Sequence, residues 1–485
     1  MPSSRLEWHF NSFALAGLCW SLPVLSAQLS PQIIFENFSR RSIRLQNIQL
    51  QARAGEAQLG ATEGLYDPEL AVRLGNEVSR AESVSGLGNL EDRNLTAATS
   101  IKKRFSTGSQ LEIQYAYLRQ QSTLNPFTST IRSPTLYENG FTLLARQSLL
   151  YNGFGAADRR RIDSAKKNDQ ALKLASVENS EELLLQNLRQ FWTTYRSKEA
   201  LNLALEARRI YDGLLKDVRE KRRLGLVDAA DLSRTNANFE AQEQKVKRAS
   251  SAYLDNLARL YDLMDEKLPP ETEEIVFAIP ADIPEPPTDA LATTEELRRT
   301  KIARAQVDAV EADRAAYKME NLPVLDLVGE AAWNGVDRMA NRSFSDALST
   351  THPRYYVGVE FGFRFGNNAN SSKLGDLMNR YELAKNSLEL SRRDLDISGS
   401  SALRGLSGAY RIALSAQSAR ESFRQLLQQE QRSYRVGRID LSQLILDYTQ
   451  LFDSELMALD AFSNYHQLLH EWAALNDKLF KEPTL

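Results

Sequence analysis

Two histidines, His466 and His470, are the residues of this 485-residue chain whose type and spacing come nearest to a reactive site. Four positions along a helix bring both imidazoles to one face, where they could share a metal ion. A metal site needs a third ligand, and the adjacent carboxylate, Glu471, points elsewhere. No metal and no cofactor are therefore expected, and Leu468, Leu469 and Trp472 beside the pair read as core. The chain has no phosphate-binding glycine loop and no nucleophile motif, so enzyme activity is not expected. Glu360 and Arg364 form the other conspicuous charged pair, and their role depends on the element that carries them.

Composition narrows the compartment. Charged residues make up 25% of the chain and the net charge is -3, which implies neither nucleic acid nor an anionic surface as partner. Residues 1–27 read as a secretory signal: Arg5 and His9 precede an apolar stretch from Phe13 to Leu25, and Leu25-Ser26-Ala27 offers a small-residue cleavage site. The single cysteine, Cys19, lies in that leader behind Leu18, which is too large for a lipidation motif, so disulfides and thiolate sites are excluded from the mature chain. No later stretch offers the ~18 apolar residues of a membrane-spanning helix. An exported chain of this kind is either soluble or crosses a membrane as a β-barrel.

The order of elements points the same way. A helix is expected over Ser30–Thr62, stopped by Tyr66-Asp67-Pro68. From Glu69 to Leu150 the apolar period becomes two, as in Leu111, Ile113, Tyr115 and Tyr117, with a hairpin turn at 106–109 and loops at 81–95 and 122–139. A helix of some 65 residues, or roughly 100 Å, follows from Ala156 to Arg223. Within it Leu184, Leu188, Phe191 and Tyr195 make one buried stripe. The chain turns at Gly225 and a helix returns to about Glu266. Six of the 15 prolines fall in 269–287, a linker without regular structure. The second half repeats the order. It has a helix over Asp289–Glu320, a strand from Pro323, a loop at 335–353 and a strand over 355–366. A long helix from Ser371 to Arg435, a turn at Gly437 and a return helix to about Phe480 complete it.

Residues 211–263 and 423–475 are alike at a constant offset of 212 with no gap: Tyr211 falls on Phe423, Gly225 on Gly437, Asp228 on Asp440, Glu243 on Glu455 and Tyr253 on Tyr465. Similarity at a long fixed offset marks a duplicated unit. The domains expected are a first repeat at 28–268, a crossover at 269–288 and a second repeat at 289–485.

The strand at 355–366 carries the membrane argument. Tyr355, Val357, Val359, Phe361, Phe363 and Phe365 occupy one face; Glu360 and Arg364, between glycines, occupy the other. The first set is expected to face lipid and the second to line an aqueous pore. Too few strands are present to close a barrel in one chain, and an open edge in hydrocarbon is prohibitive, so several copies must share one barrel continued by paired long helices. The fold class expected is mainly α with a membrane β-barrel.

Together, the duplicated halves, the strand pairs, the proline-rich crossover and two glycine-turned helical hairpins resemble the TolC-like outer-membrane efflux proteins over about residues 29–480. The resemblance implies a homotrimer in the outer membrane of a Gram-negative-type bacterium, reaching into the periplasm. It would be a passive exit duct of a tripartite efflux or type I secretion system, joined by a periplasmic adaptor to an inner-membrane pump of RND, ABC or MFS type. Family members use four strands per protomer. Here an extra hairpin at about 97–120 either adds strands or protrudes. By resemblance Arg223, Leu224, Gly225, Leu226, Val227 and Arg435, Val436, Gly437, Arg438, Ile439 contact the adaptor, with Leu226 and Ile439 as exposed apolar points. Asp231 and Tyr434 fall on a pair that latches the tunnel end. Ile439 stands where the family has an arginine, with Arg438 one position earlier. Gln443 and Leu446, with Asp447 adjacent, replace the constricting aspartates, so an aspartate gate is not expected. The rival reading is an exported coiled-coil scaffold or adhesin without a pore, which leaves the lipid-type strand unexplained.

Overall fold

A computed structural model of the chain describes residues 27–80, 90–123, 135–270, 275–280, 282–288, 291–349 and 351–480. The expected leader lies outside the described residues except for Ala27, as do the centres of the expected loops at 81–95 and 122–139.

The chain opens with β1 (Ala27–Leu29) and α1 (Pro31–Arg41), which starts on a Ser30 cap and a proline in its first turn. The single helix expected over 30–62 is in fact two. Ser42 ends α1 and caps α2 (Ile43–Glu63), accepting from the Leu45 amide while Asp265 accepts from Ser42 Oγ and from the Ile43 amide. These partners satisfy amides that a continuous helix would have bonded itself.

Six strands make one antiparallel sheet: β2 (Glu69–Ser79), β3 (Glu91–Arg104), β4 (Ser109–Thr123), β5 (Thr135–Ser148), then β7 (Val324–Asp337) and β8 (Pro353–Gly362), in that spatial order. The region around 97–120 therefore lies within the sheet and does not protrude. The expected loops give way at their edges, because β3 starts at Glu91, β4 runs to Thr123 and β5 starts at Thr135. Serine, asparagine and threonine weaken the alternation there, and ladder bonds to neighbouring strands override it.

After β5 comes α3 (Ala156–Arg223), then α4 (Ala229–Leu263). The crossover is less irregular than expected, since β6 (Ile275–Phe277) pairs in parallel with β1. Then α5 (Arg298–Glu320) begins well after Asp289. The expected loop at 335–353 holds α6 (Ala340–Leu348) between β7 and β8. Finally α7 (Asn368–Arg435) and α8 (Leu441–Leu475) form the second hairpin. The two long helices have 68 residues each and the two return helices 35 each; α7 starts 212 positions after α3, and α8 212 after α4.

The core runs as clusters along the rods. Leu184, Leu188, Phe191 and Trp192 of α3 pack with Tyr253, Leu257 and Leu260 of α4 and with Ile34 and Phe38 of α1. Nearer the turns, Tyr211, Leu214 and Val218 meet Leu444, Tyr448 and Phe452. The stripe read in the sequence is buried apart from Tyr195, which is half-buried. Among the described residues no helix is long and apolar enough to cross a membrane.

Candidate channel wall and helical tips

Strand register divides the sheet into two faces. One row runs Val359, Leu327, Gln147 across β8, β7 and β5, and the row beyond it Val357, Gly329, Ala145, Leu111, Lys103 across β8, β7, β5, β4 and β3. Following the pleat, this face carries Tyr355, Val357, Val359 and Phe361 on β8, Leu325, Leu327, Ala331 and Trp333 on β7, and Phe141 and Leu143 on β5. It continues with Ile113 and Tyr115 on β4, Ile101 on β3 and Leu70, Val72 and Leu74 on β2. The middle of the face is apolar and open, with Gln147 and Lys103 toward its helical end and Arg93 and Arg119 toward the other: Val357 is 79% exposed and Leu74 76%.

The opposite face is polar. Arg146 of β5 donates to Asp326 of β7 at 3.1 Å and to Glu360 of β8 at 2.7 Å, a three-strand ionic link. Glu330 pairs with Arg354 and Glu138 accepts from Asn334 at 2.7 Å. Glu360 is thus on the polar face, as its alternation implied. Arg364 is not, and Phe363 and Phe365 are not on the ladder either: β8 ends at Gly362. Past the last ladder bond Phe363 and Phe365 pack edge to face at 5.3 Å, and Arg364 lines a 270 Å³ hollow with Glu320 and Asn367 at the start of α7. The alternation of phenylalanines thus outran the strand by one turn of chain.

At the far end of the rods the two helical hairpins turn alike. Gly225 (φ +74°) and Gly437 (φ +70°) take the left-handed conformation that lets a helix end and reverse. Leu226 N donates to Lys221 O, and Arg438 N to Ser433 O, each at 2.9 Å. Asp228 and Asp440 cap the return helices through the amides of Asp231 and Gln443. Leu224 and Leu226 are exposed, the latter 70%, with Arg223 and Arg435 beside the turns. On the second turn the exposed apolar residue is Val436, not Ile439. Ile439, like Val227, is half-buried against the cluster of Leu441, Leu444 and Tyr448.

The tip contacts also differ from the pairing expected. Tyr434 does not meet Asp231 within the chain. Its hydroxyl accepts from Lys221 Nζ at 3.2 Å, and the ammonium lies 4.4 Å over the ring centroid. Desolvation pulls the Lys221 pKa down, but the Asp217 carboxylate and the Tyr434 phenol outweigh it and leave it raised. Asp231 lies 3.7 Å from Arg234, which donates to Ser442 on the other hairpin. Gln443 donates to Asp447 at 2.8 Å, and Asp447 is buried, facing the packed side of its helix. The lysine partner could have been found in the sequence only by knowing which helices end side by side.

His466 stacks on Trp192, 4.4 Å between ring centroids, and neither His466 Nε2 nor His470 Nε2 has a hydrogen-bond partner. Burial pushes both imidazoles down to about 4, with the charge of His466 adding to the effect on His470. Glu471 is paired with Arg189 at 2.9 Å. Among the described residues the one acidic group close enough to hold an ion is Glu178, Glu181 and Asp477, and the Arg298 guanidinium already lies 2.6 Å from Glu181 and 3.1 Å from Glu178.

A two-faced sheet rooted in paired helical rods defines the class: the chain has the fold of the TolC-like outer-membrane channels. The Campylobacter jejuni CmeC outer membrane channel superposes with a TM-score of 0.69 at 12% identity over 94% of this chain and 87% of that one. The Vibrio cholerae outer membrane protein VceC gives 0.64 at 11% over 93% and 97%, and the open-state Neisseria gonorrhoeae MtrE outer membrane channel 0.64 at 14% over 93% and 89%. No protein-family model and no curated protein sequence matches the chain.

Proposed function

We propose that the chain is one protomer of an outer-membrane exit duct and performs no chemistry of its own. The observation that carries this is the six-stranded sheet with a largely apolar face, a charged face and two unpaired edges, β2 and β8. Hydrocarbon forbids unpaired edges, so the β2 edge of one copy pairs with the β8 edge of the next. Three copies, as the resemblance implies, then supply one barrel, and the rods continue it into the periplasm. Subtracting the 212 offset from β7–β8 (324–362) gives 112–150, which overlies β4–β5, so β2–β3 is the added hairpin and each copy brings six strands. The tips around Gly225 and Gly437, with Leu224, Leu226 and Val436 outermost, meet a periplasmic adaptor, and an inner-membrane pump supplies the energy.

The test places cysteines on the two edges, Val72→Cys and Val357→Cys, in a Cys19→Ser chain purified in detergent. A bifunctional maleimide is expected to give a ladder ending at three copies, and the same preparation is expected to conduct in planar bilayers. A monomer that stays dispersed in detergent-free buffer and carries no current would support a coiled-coil scaffold and defeat the duct.

A further inference from the structure

The short helix α6 lies on the apolar face of the sheet, not on the polar one. Gly335 sits on that face, two residues along β7 from Trp333, and a Cβ there would come within 2.2 Å of the Ser343 carbonyl and 2.6 Å of the Ala347 nitrogen. The helix backbone therefore lies directly on the strand. Ser343 and Ala347 are buried against it, while Phe344 (41% exposed) and Leu348 (57%) share one open flank with Asn341 at its edge, Arg342 and Asp346 lie on the other, and Ser345 faces away from the strand. The Phe344 ring meets Tyr115 and Phe141, 6.2 and 6.1 Å between centroids, and both rings lie toward the middle of the sheet from Asn139. The apolar flank thus points along the sheet toward its apolar centre, and the polar flank points away from it.

A second observation fixes what covers the far end of this face. Asn139 is a polar residue on the apolar side, and it is 2% exposed. The Tyr115 hydroxyl donates to its carbonyl at 2.6 Å, its amide donates to Ser343 Oγ at 2.9 Å, and Ser343 Oγ donates to the Gly335 carbonyl at 2.7 Å. Uncovered in hydrocarbon, that amide would be left without partners at a cost of several kcal/mol. Under α6 the Tyr115 hydroxyl, both ends of the Asn139 side chain and the Ser343 hydroxyl each have one.

We infer that α6 is an interfacial helix that lies on the outside of the barrel at its outer rim, its Phe344–Leu348 flank sunk into the acyl edge of the bilayer. This rests on the sheet being a membrane wall. The occupant follows from continuity: through Tyr115 and Phe141 the flank adjoins the apolar middle of the face that carries Val357 and Val359. Helices of this kind enter the headgroup and acyl boundary by about 5–10 Å.

The test labels single cysteines with an environment-sensitive fluorophore at Leu348→Cys, Ser345→Cys and Val357→Cys, each in the full-length Cys19→Ser chain reconstituted in phosphatidylcholine vesicles. The Leu348 label is expected to emit to the blue of the Ser345 label and to be quenched by nitroxides high on the acyl chain. The Ser345 label is expected to be quenched by iodide in the water. A Val357 label in lipid with a Leu348 label open to iodide would overturn the helix assignment alone. A Val357 label open to iodide would overturn the barrel wall itself. A Leu348 label shielded from both quenchers would show a protein covering the helix and would equally overturn the lipid contact.

Discussion

Lys221, two residues before the end of the first long helix, lies over the ring of Tyr434, one residue before the end of the second, with Nζ 3.2 Å from the hydroxyl. This contact ties the two helical hairpins together close to the tips. An ammonium over a ring with one hydrogen bond contributes about 1–2 kcal/mol, a factor of roughly 5–30 in the population with the tips apart. Lys221→Met and Tyr434→Ala are expected to raise the mean single-channel current, and Tyr434→Phe, which keeps the ring, to raise it less. Unchanged current in all three would show that the contact does not hold the end closed.

The His466–His470 pair makes stability depend on pH in one direction. Both imidazoles titrate near 6.5 when unfolded and at about 4 when folded. Between those values the unfolded state binds more protons, so stability is complete above about pH 6.5, falls as pH drops toward 4 and levels off below. Melting temperatures in detergent should decline through that window. The His466→Phe, His470→Leu variant should flatten the decline, and an equally steep decline in that variant would assign it to other groups.

Removing Arg146 strands Asp326, which is buried, beside Glu360. Because Arg146 is itself partly open to solvent, Arg146→Met should cost about 1–3 kcal/mol, less than a fully buried pair. Adding Asp326→Asn should restore part of the loss, and Glu360→Gln alone should matter little. Thermal unfolding of the sheet, followed by circular dichroism, reads all three. A double variant no more stable than Arg146→Met would refute the ionic account.

Gly335→Ala places a methyl where the backbone of α6 lies. The helix must lift or the strand must shift, at about 1–3 kcal/mol, and the cover over Asn139 loosens. Protease added to intact cells should then cut within 338–349 faster than in the parent protein. Equal cleavage rates would mean that the helix and strand are not in close contact.

How much of this was legible in the sequence depended on whether a signal was local. The 212-residue offset, the glycine turns and the long apolar stripes come from backbone preference and periodicity within one segment, and they located both hairpins. The reading failed where a segment takes its structure from elsewhere. Ser42 breaks a helix because Asp265 supplies the bonds. Residues 340–348 are helical against a glycine on a neighbouring strand. β8 stops at Gly362 because its partner strand begins at Val324 and no ladder continues past that pair, although phenylalanines go on alternating.

The sequence by itself determined the two helical hairpins, their turns and the presence of a two-faced strand, because helix, turn and pleat periodicities are written in neighbouring residues. Only the tertiary structure decided that six strands share one sheet, that Lys221 and not Asp231 meets Tyr434, and that a helix covers Asn139. Each of these joins residues about 200 positions apart, and which side chains meet at that range is set by how the rods and strands pack together.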